Sequence, residues 1–191
     1  MVRWEPNARG RLQQAAMELF FERGYDAVTV TDIAERAGMT KGSFFNHFGD
    51  KPEVVFATLD TFARDVVANL TVTGAQNALE ATVSAFAKAA TELDQPDQAR
   101  AVRALIGSSP MLQERERTKM AVAARTIGDA LTAQGLRMGD ALFVAHTATL
   151  VFTTAYENWS TEPTTDLSST VRATLDDFLQ AVEASGELRN T

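Results

Sequence analysis

Along the first seventy residues, apolar side chains recur at the helical period. Leu12, Ala15, Ala16, Leu19 and Phe20 fall at i, i+3, i+4, i+7 and i+8, one stripe that follows Pro6 and Asn7. Gly24 ends that predicted helix. Thr29 opens a second, with Asp32 three residues on, the spacing of a reciprocal cap. Val30, Ile33, Ala34 and Ala37 form its inward face. Gly38 breaks it after two turns, Met39 lies in the turn, and Thr40 caps a third, very short helix through about Phe45. The run Phe48-Gly49-Asp50-Lys51-Pro52-Glu53 closes this unit and starts a fourth helix. There Asp50 is the cap, Pro52 sits in the first turn and Glu53 favours the positive dipole end. The fourth helix runs to about Leu70, with Val55, Leu59, Phe62, Val66 and Leu70 inward.

A break at Thr71–Ala75, containing Gly74, marks a domain boundary. Beyond it five helices are expected near 77–93, 97–107, 110–134, 139–159 and 167–185, separated by stretches rich in Pro, Gly and Ser. No strand-like alternation bounded by hairpin turns occurs. The pattern therefore predicts an all-α chain of about nine helices. Two helical domains are expected, one over 8–70 and one over 76–191.

Composition narrows the function classes. The 191 residues are 45% hydrophobic and 23% charged, ordinary values for a folded chain. The absence of cysteine excludes a disulfide framework and any thiolate metal or redox site. His47 and His146 have no carboxylates at ligand spacing, so neither a metal nor a cofactor is expected. No apolar run exceeds five residues, as at Ala141–Ala145, too short for a membrane span or a signal-peptide core. A soluble, cytoplasmic protein is expected.

The net charge of −7 argues against nucleic acid only until it is located. Residues 1–51 hold seven basic and seven acidic side chains, whereas 52–191 hold eleven and eighteen. A neutral head on an acidic body binds DNA if the head's cations share one face.

The segment from Thr29 to Phe48 carries the informative chemistry. Two short helices are joined by a tight turn at Gly38, and the second offers small, polar and basic side chains. This is a helix-turn-helix layout, in which the second helix enters the major groove and the first braces it. Taken alone, the same pattern also describes a helical hairpin that binds nothing.

Residues 9–57 resemble the N-terminal domain of the TetR family of bacterial transcriptional regulators. The resemblance rests on Ala15-Ala16-Met17-Glu18-Leu19-Phe20, Glu22-Arg23-Gly24-Tyr25, Thr29-Val30-Thr31-Asp32-Ile33-Ala34, Ala37-Gly38-Met39-Thr40-Lys41-Gly42-Ser43, and Phe48 with Asp50-Lys51. It implies a three-helix DNA-binding head on a helical, usually dimeric, ligand-binding body. Thr40, Lys41, Ser43, Phe44 and Asn46 would project from the recognition helix, with Phe44 against a thymine methyl. His47 and Lys51 would contact phosphate, and Thr29 would touch the DNA backbone as well as cap its helix. Family members often carry Tyr where this chain has Phe45, which is open to reading as packing or contact. Arg3, Arg9 and Arg11 fit either a minor-groove arm or a solvated terminus.

In the body, Leu142, Phe143, Leu150, Phe152, Tyr156 and Trp159 share one helix, and Val171, Leu175, Phe178, Leu179 and Val182 the next. The family resemblance implies dimerisation through these two helices; intramolecular core accounts for the same stripes. Ser109-Pro110-Met111-Leu112 and Trp159 also resemble regulators grouped as binding acyl-CoA-like ligands. That implies a pocket lined by Phe86, Val102, Ile106, Met111, Met120, Ile127, Phe152, Tyr156 and Trp159, with Arg103 facing an acidic head group. Each of these also reads as ordinary core, Arg103 as a surface ion pair and His146 as a hydrogen-bonded core histidine.

The function expected is a homodimeric repressor on double-stranded operator DNA, released by a small apolar or acyl-CoA-like effector. A DNA-binding dimer without ligand response uses the same residue types. A helical-bundle enzyme needs a nucleophile–base pair, a metal cluster or a phosphate loop, and no such motif occurs in the sequence.

Overall fold

The computed structural model describes residues 7–72, 77–93, 95–162 and 165–187. Among them it forms ten helices and no strand: α1 (Ala8–Arg23), α2 (Val30–Arg36), α3 (Lys41–Phe45), α4 (Lys51–Val55), α5 (Ala57–Asn69), α6 (Ala78–Ala90), α7 (Pro96–Gly107), α8 (Pro110–Ala133), α9 (Met138–Thr161) and α10 (Leu167–Glu187). Arg3, Pro6 and the expected break at Gly74 lie outside the described residues. The helix anticipated over 50–70 is two helices, because Phe56 leaves helical geometry at φ −98° and ψ 10°. Val54, Val55, Phe56 and Ala57 are all buried. A straight helix cannot turn four consecutive side chains into one core, so the axis breaks between α4 and α5.

Contacts divide the chain into two units, and the division falls inside α5, α7 and α8 rather than at a linker. The first unit takes the chain up to Asp60 together with Ala101–Lys119. Its core joins Leu12, Leu19 and Phe20 of α1 to Tyr25, Val28, Ile33, Phe44, Phe48, Val54 and Phe56. Leu105, Ile106 and Leu112 belong to the same cluster. The α7–α8 turn is thus packed with the N-terminal helices, although the sequence places it among the body helices.

Ion pairs accompany this packing. The Arg115 guanidinium donates to Asp50 and Glu53, and Lys119 Nζ donates to Glu53 Oε1 at 2.7 Å and to Asp60 Oδ2 at 2.9 Å. Only 15% of the Lys119 side chain is exposed, so these bonds are shielded from water more than surface pairs are. Glu53 and Asp60 raise its pKa against the lowering effect of burial, which is the largest single influence.

In the second unit, Thr61–Arg100 and the chain from Met120 onward, α6, α9 and α10 pack on one another. Ala124, Ile127 and Leu131 of α8 are buried. A Cβ on Gly128 would lie 3.2 Å from Leu142 Cδ2 and 3.7 Å from Ala145 Cβ, so a glycine lets α8 approach α9. Rings from three helices fill this interior. Phe62 stacks on Phe152 at 4.7 Å and Phe152 on Phe86 at 5.0 Å; the series continues through Tyr156 at 6.0 Å to Trp159 at 6.1 Å. Trp159 Nε1 donates to the Thr165 carbonyl at 3.0 Å. No helix among the described residues is long and apolar enough to cross a membrane.

Removing the Lys119 ammonium takes a charged donor away from Asp60 and from Glu53 Oε1. Lys119→Met is expected to lower unfolding free energy by about 1–3 kcal/mol. Urea denaturation followed by circular dichroism measures this; an unchanged midpoint contradicts it.

Candidate nucleic-acid interface

Local chemistry sets both short helices of the head. Thr29 is extended, and its Oγ1 accepts from the Asp32 N–H at 3.2 Å while the Asp32 carboxylate accepts from the Thr29 N–H at 2.7 Å. Hydrogen bonds from the Thr29 hydroxyl and N–H hold the Asp32 carboxyl below its ordinary range. The chain then leaves α2 through Gly38 at φ +67°, a conformation that excludes most side chains. Arg11 Nη2 donates to the Ala37 carbonyl at 2.6 Å and lies 3.3 Å from where a Cβ on Gly38 would stand. Glycine and arginine together fix the turn. Thr40, again extended, starts α3, its Oγ1 accepting from the Ser43 N–H at 3.1 Å.

Beneath α3, Phe44 and Phe48 are 0% and 2% exposed and their rings meet at 5.5 Å. Phe44 was expected to reach a thymine methyl. Its burial removes it from the outer face, because α3 needs one large apolar residue to seat it on the core. The adjacent Phe45 is 49% exposed instead.

Thr29, Thr40, Lys41, Asn46 and His47 are exposed, and Ser43 is half-buried with its hydroxyl 3.0 Å from that of Thr40. Lys41 is the one charged residue between Met39 and Gly49, so no carboxylate on this stretch repels a phosphate.

Lys51 departs from its expected role. Its ammonium donates to the Tyr25 and Val28 carbonyls, both at 2.9 Å, and sits 4.0 Å from the Tyr25 ring centroid. Burial pushes its pKa below the usual lysine value. These bonds tie the α1–α2 loop to the start of α4, and with it Thr29. Arg9 lies over the Phe48 ring at 5.1 Å. Tyr25, part of the Glu22–Tyr25 motif but given no role from sequence, is the hub of this tie. Burial, reinforced by Asp50 and Asp26, pushes its phenol up to about 12.

The residues expected to line one ligand pocket separate between the units. Phe86, Ile127, Phe152 and Trp159 are buried in the second unit, where Tyr156 and Met120 are half-buried. Ile106 instead belongs to the core of the first unit, with Val102 packed against it, because the α7–α8 turn folds with the head. Arg103 donates to Glu116 at 2.7 Å across that turn, and Met111 is 61% exposed. Phe62, read from sequence only as a core position, joins the aromatic stack. His146 is exposed, contrary to the core role expected of it, since it stands on the outer side of α9 between buried Ala145 and Ala148.

Residues 12–58 match the family described as bacterial regulatory proteins, tetR family. The transcriptional activator FasR of Mycolicibacterium smegmatis is 37% identical over 83 residues, 41% of this chain and 38% of that protein. The transcriptional repressor KstR2 of Mycobacterium tuberculosis is 46% identical over 54 residues, 28% of this chain and 27% of its own length. The chain thus spans well under half the length of these relatives. A solved complex of SmeT with triclosan covers 92% of this chain and 91% of its own at a TM-score of 0.62 and 21% identity. SmeT is the repressor of the Stenotrophomonas maltophilia multidrug efflux pump SmeDEF. At that identity the likeness establishes fold alone.

The family match falls on the same capped helix pair that turns its polar residues outward, and the all-helical fold extends the likeness beyond it. Over residues 12–58 the chain is thus similar to the TetR family of bacterial regulatory proteins, and over most of its length it shares the fold of SmeT.

Proposed function

We propose that the protein is a homodimeric DNA-binding repressor that loses operator affinity when a small apolar or acyl-CoA-like ligand enters its second unit. It acts as a regulator, not an enzyme. The observation that carries this reading is the outer side of α3 and its two ends: Thr40, Lys41, Asn46 and His47 are exposed there, while Phe44 and Phe48 lock the underside. A rigid, polar, acid-free face suits the major groove, where hydroxyls, an amide and an ammonium meet phosphates and base edges.

Dimerisation rests on the body. Val171 and Leu175 of α10 are buried within the subunit, so the stripe on that helix is partly core. Among the described residues, the large apolar side chains these two helices leave exposed are Met138 at 70%, Phe143 at 78% and Leu150 at 59% on α9, and Val182 at 54% on α10. Phe143 and Leu150, with His146 between them, recur every three or four residues, which aligns them on one side of α9. Large exposed apolar side chains repeated along a helix suit a self-complementary contact. Two heads then read two half-sites of a near-palindromic operator.

For the ligand, support comes from the aromatic interior of the second unit and from the SmeT complex with triclosan. A ligand would have to part the stacked rings. It acts only through a difference in affinity between DNA-competent and incompetent states, and tenfold release needs about 1.4 kcal/mol. The filled stack also favours a second reading, a DNA-bound dimer without ligand response.

Binding of full-length protein to duplexes selected from a random library tests the first claim. Lys41→Ala is expected to weaken binding and flatten the salt dependence by about one unit if Lys41 meets phosphate. Lys51→Ala is expected to lower thermal stability and leave that slope unchanged. A slope that falls with Lys51→Ala instead would return Lys51 to the interface. Light scattering tests the dimer: Phe143→Glu with Leu150→Glu is expected to yield folded monomers, and an intact dimer rejects the α9 face. Thermal shift against acyl-CoA thioesters, fatty acids and aromatic drugs tests the ligand. A true effector at a hundred times its dissociation constant stabilises by about 2.7 kcal/mol and releases the duplex. No response from any class selects the second reading.

A further inference from the structure

We infer that Phe45 is a specificity-determining residue that reads thymine through the C5-methyl group in the major groove. The inference rests on the DNA-binding reading above and adds to it the base that this side chain selects. Phe45 is the large apolar side chain that α3 leaves in water, at 49% exposure, between buried Phe44 and exposed Asn46.

Its ring is not loose. It meets Phe44 edge-on at 5.4 Å and 85°, and Phe44 is itself wedged against Phe48. A ring braced by a fully buried neighbour keeps its orientation when the protein is free, so little freedom is lost on contact.

The surroundings allow close approach. Lys41 and Gly42 lie one turn before Phe45 on the same side of α3. Among the described residues, and apart from its chain neighbours and its own helix backbone, a Cβ on Gly42 would meet just Thr40 Oγ1 within 4 Å, at 3.7 Å, so the helix surface beside the ring is open. A phenyl ring has no hydroxyl for a phosphate and no polar atom for a base edge. The thymine methyl is the apolar group that the major-groove edges offer it, and hiding both from water is favourable.

The test uses full-length protein and a duplex it selects from a random library. Each thymine is replaced in turn by uracil, which removes the methyl and nothing else, and affinity is read by fluorescence anisotropy. Wild type is expected to lose about threefold to fivefold at one thymine in each half-site, the worth of one buried methyl. Phe45→Ala, at an exposed position, is expected to fold with an unchanged melting curve, to bind more weakly, and to be indifferent to uracil at that thymine alone. Phe45→Leu, which keeps an apolar surface, is expected to retain part of the discrimination. A wild type that treats uracil as thymine throughout, or a Phe45→Ala variant that keeps full uracil sensitivity, overturns the assignment while leaving the regulator reading intact. Failure to select any sequence overturns the regulator reading itself.

Discussion

A five-residue helix cannot hold its shape in water, because nucleation costs more than one turn of hydrogen bonds returns. Everything the head does depends on how α3 is held from outside itself. The Thr40 cap fixes its first turn, the Gly38 bend with its Arg11 tie sets its approach, and Phe44 and Phe48 seat its underside. These contacts decide which residues are left to face a duplex. Burying Phe44 is what turns Phe45 and Asn46 outward.

The same logic extends to the rest of the first unit. Lys51 and Tyr25 bind the loop before α2 to the start of α4, and Arg115 and Lys119 bind Asp50, Glu53 and Asp60. Ala101–Lys119 shares the head's core through Leu105, Ile106 and Leu112. The α7–α8 turn is therefore packed with the same core that seats α3. The net negative charge of the chain lies wholly beyond residue 51, where eighteen acidic residues face eleven basic ones.

Sequence reasoning reached what local chemistry decides. The caps at Thr29, Thr40 and Asp50 lie within three residues of their partners, and the turn at Gly38 follows from one residue type, so both were legible. Phase was not legible where a helix is too short to show a period: five residues cannot tell whether Phe44 or Phe45 faces inward. Nor were partners distant in the chain. The carbonyls that capture Lys51 stand 23 and 26 residues away, and the stack joining Phe62 to Phe152 spans ninety positions. The break at Phe56 escaped because apolar residues continue on both sides of it. Helix order alone assigned 101–119 to the body, whereas packing assigns it to the head.

That the outward face of α3 meets the duplex can be tested by proximity. The sequence contains no cysteine, so Asn46→Cys offers a unique point for a tethered DNA-cleaving iron chelate. On a selected duplex, cleavage is expected in two patches related by the operator's two-fold axis, and none is expected from the same chelate at Glu183→Cys on α10. Cleavage from α10 without cleavage from Asn46→Cys would contradict the account.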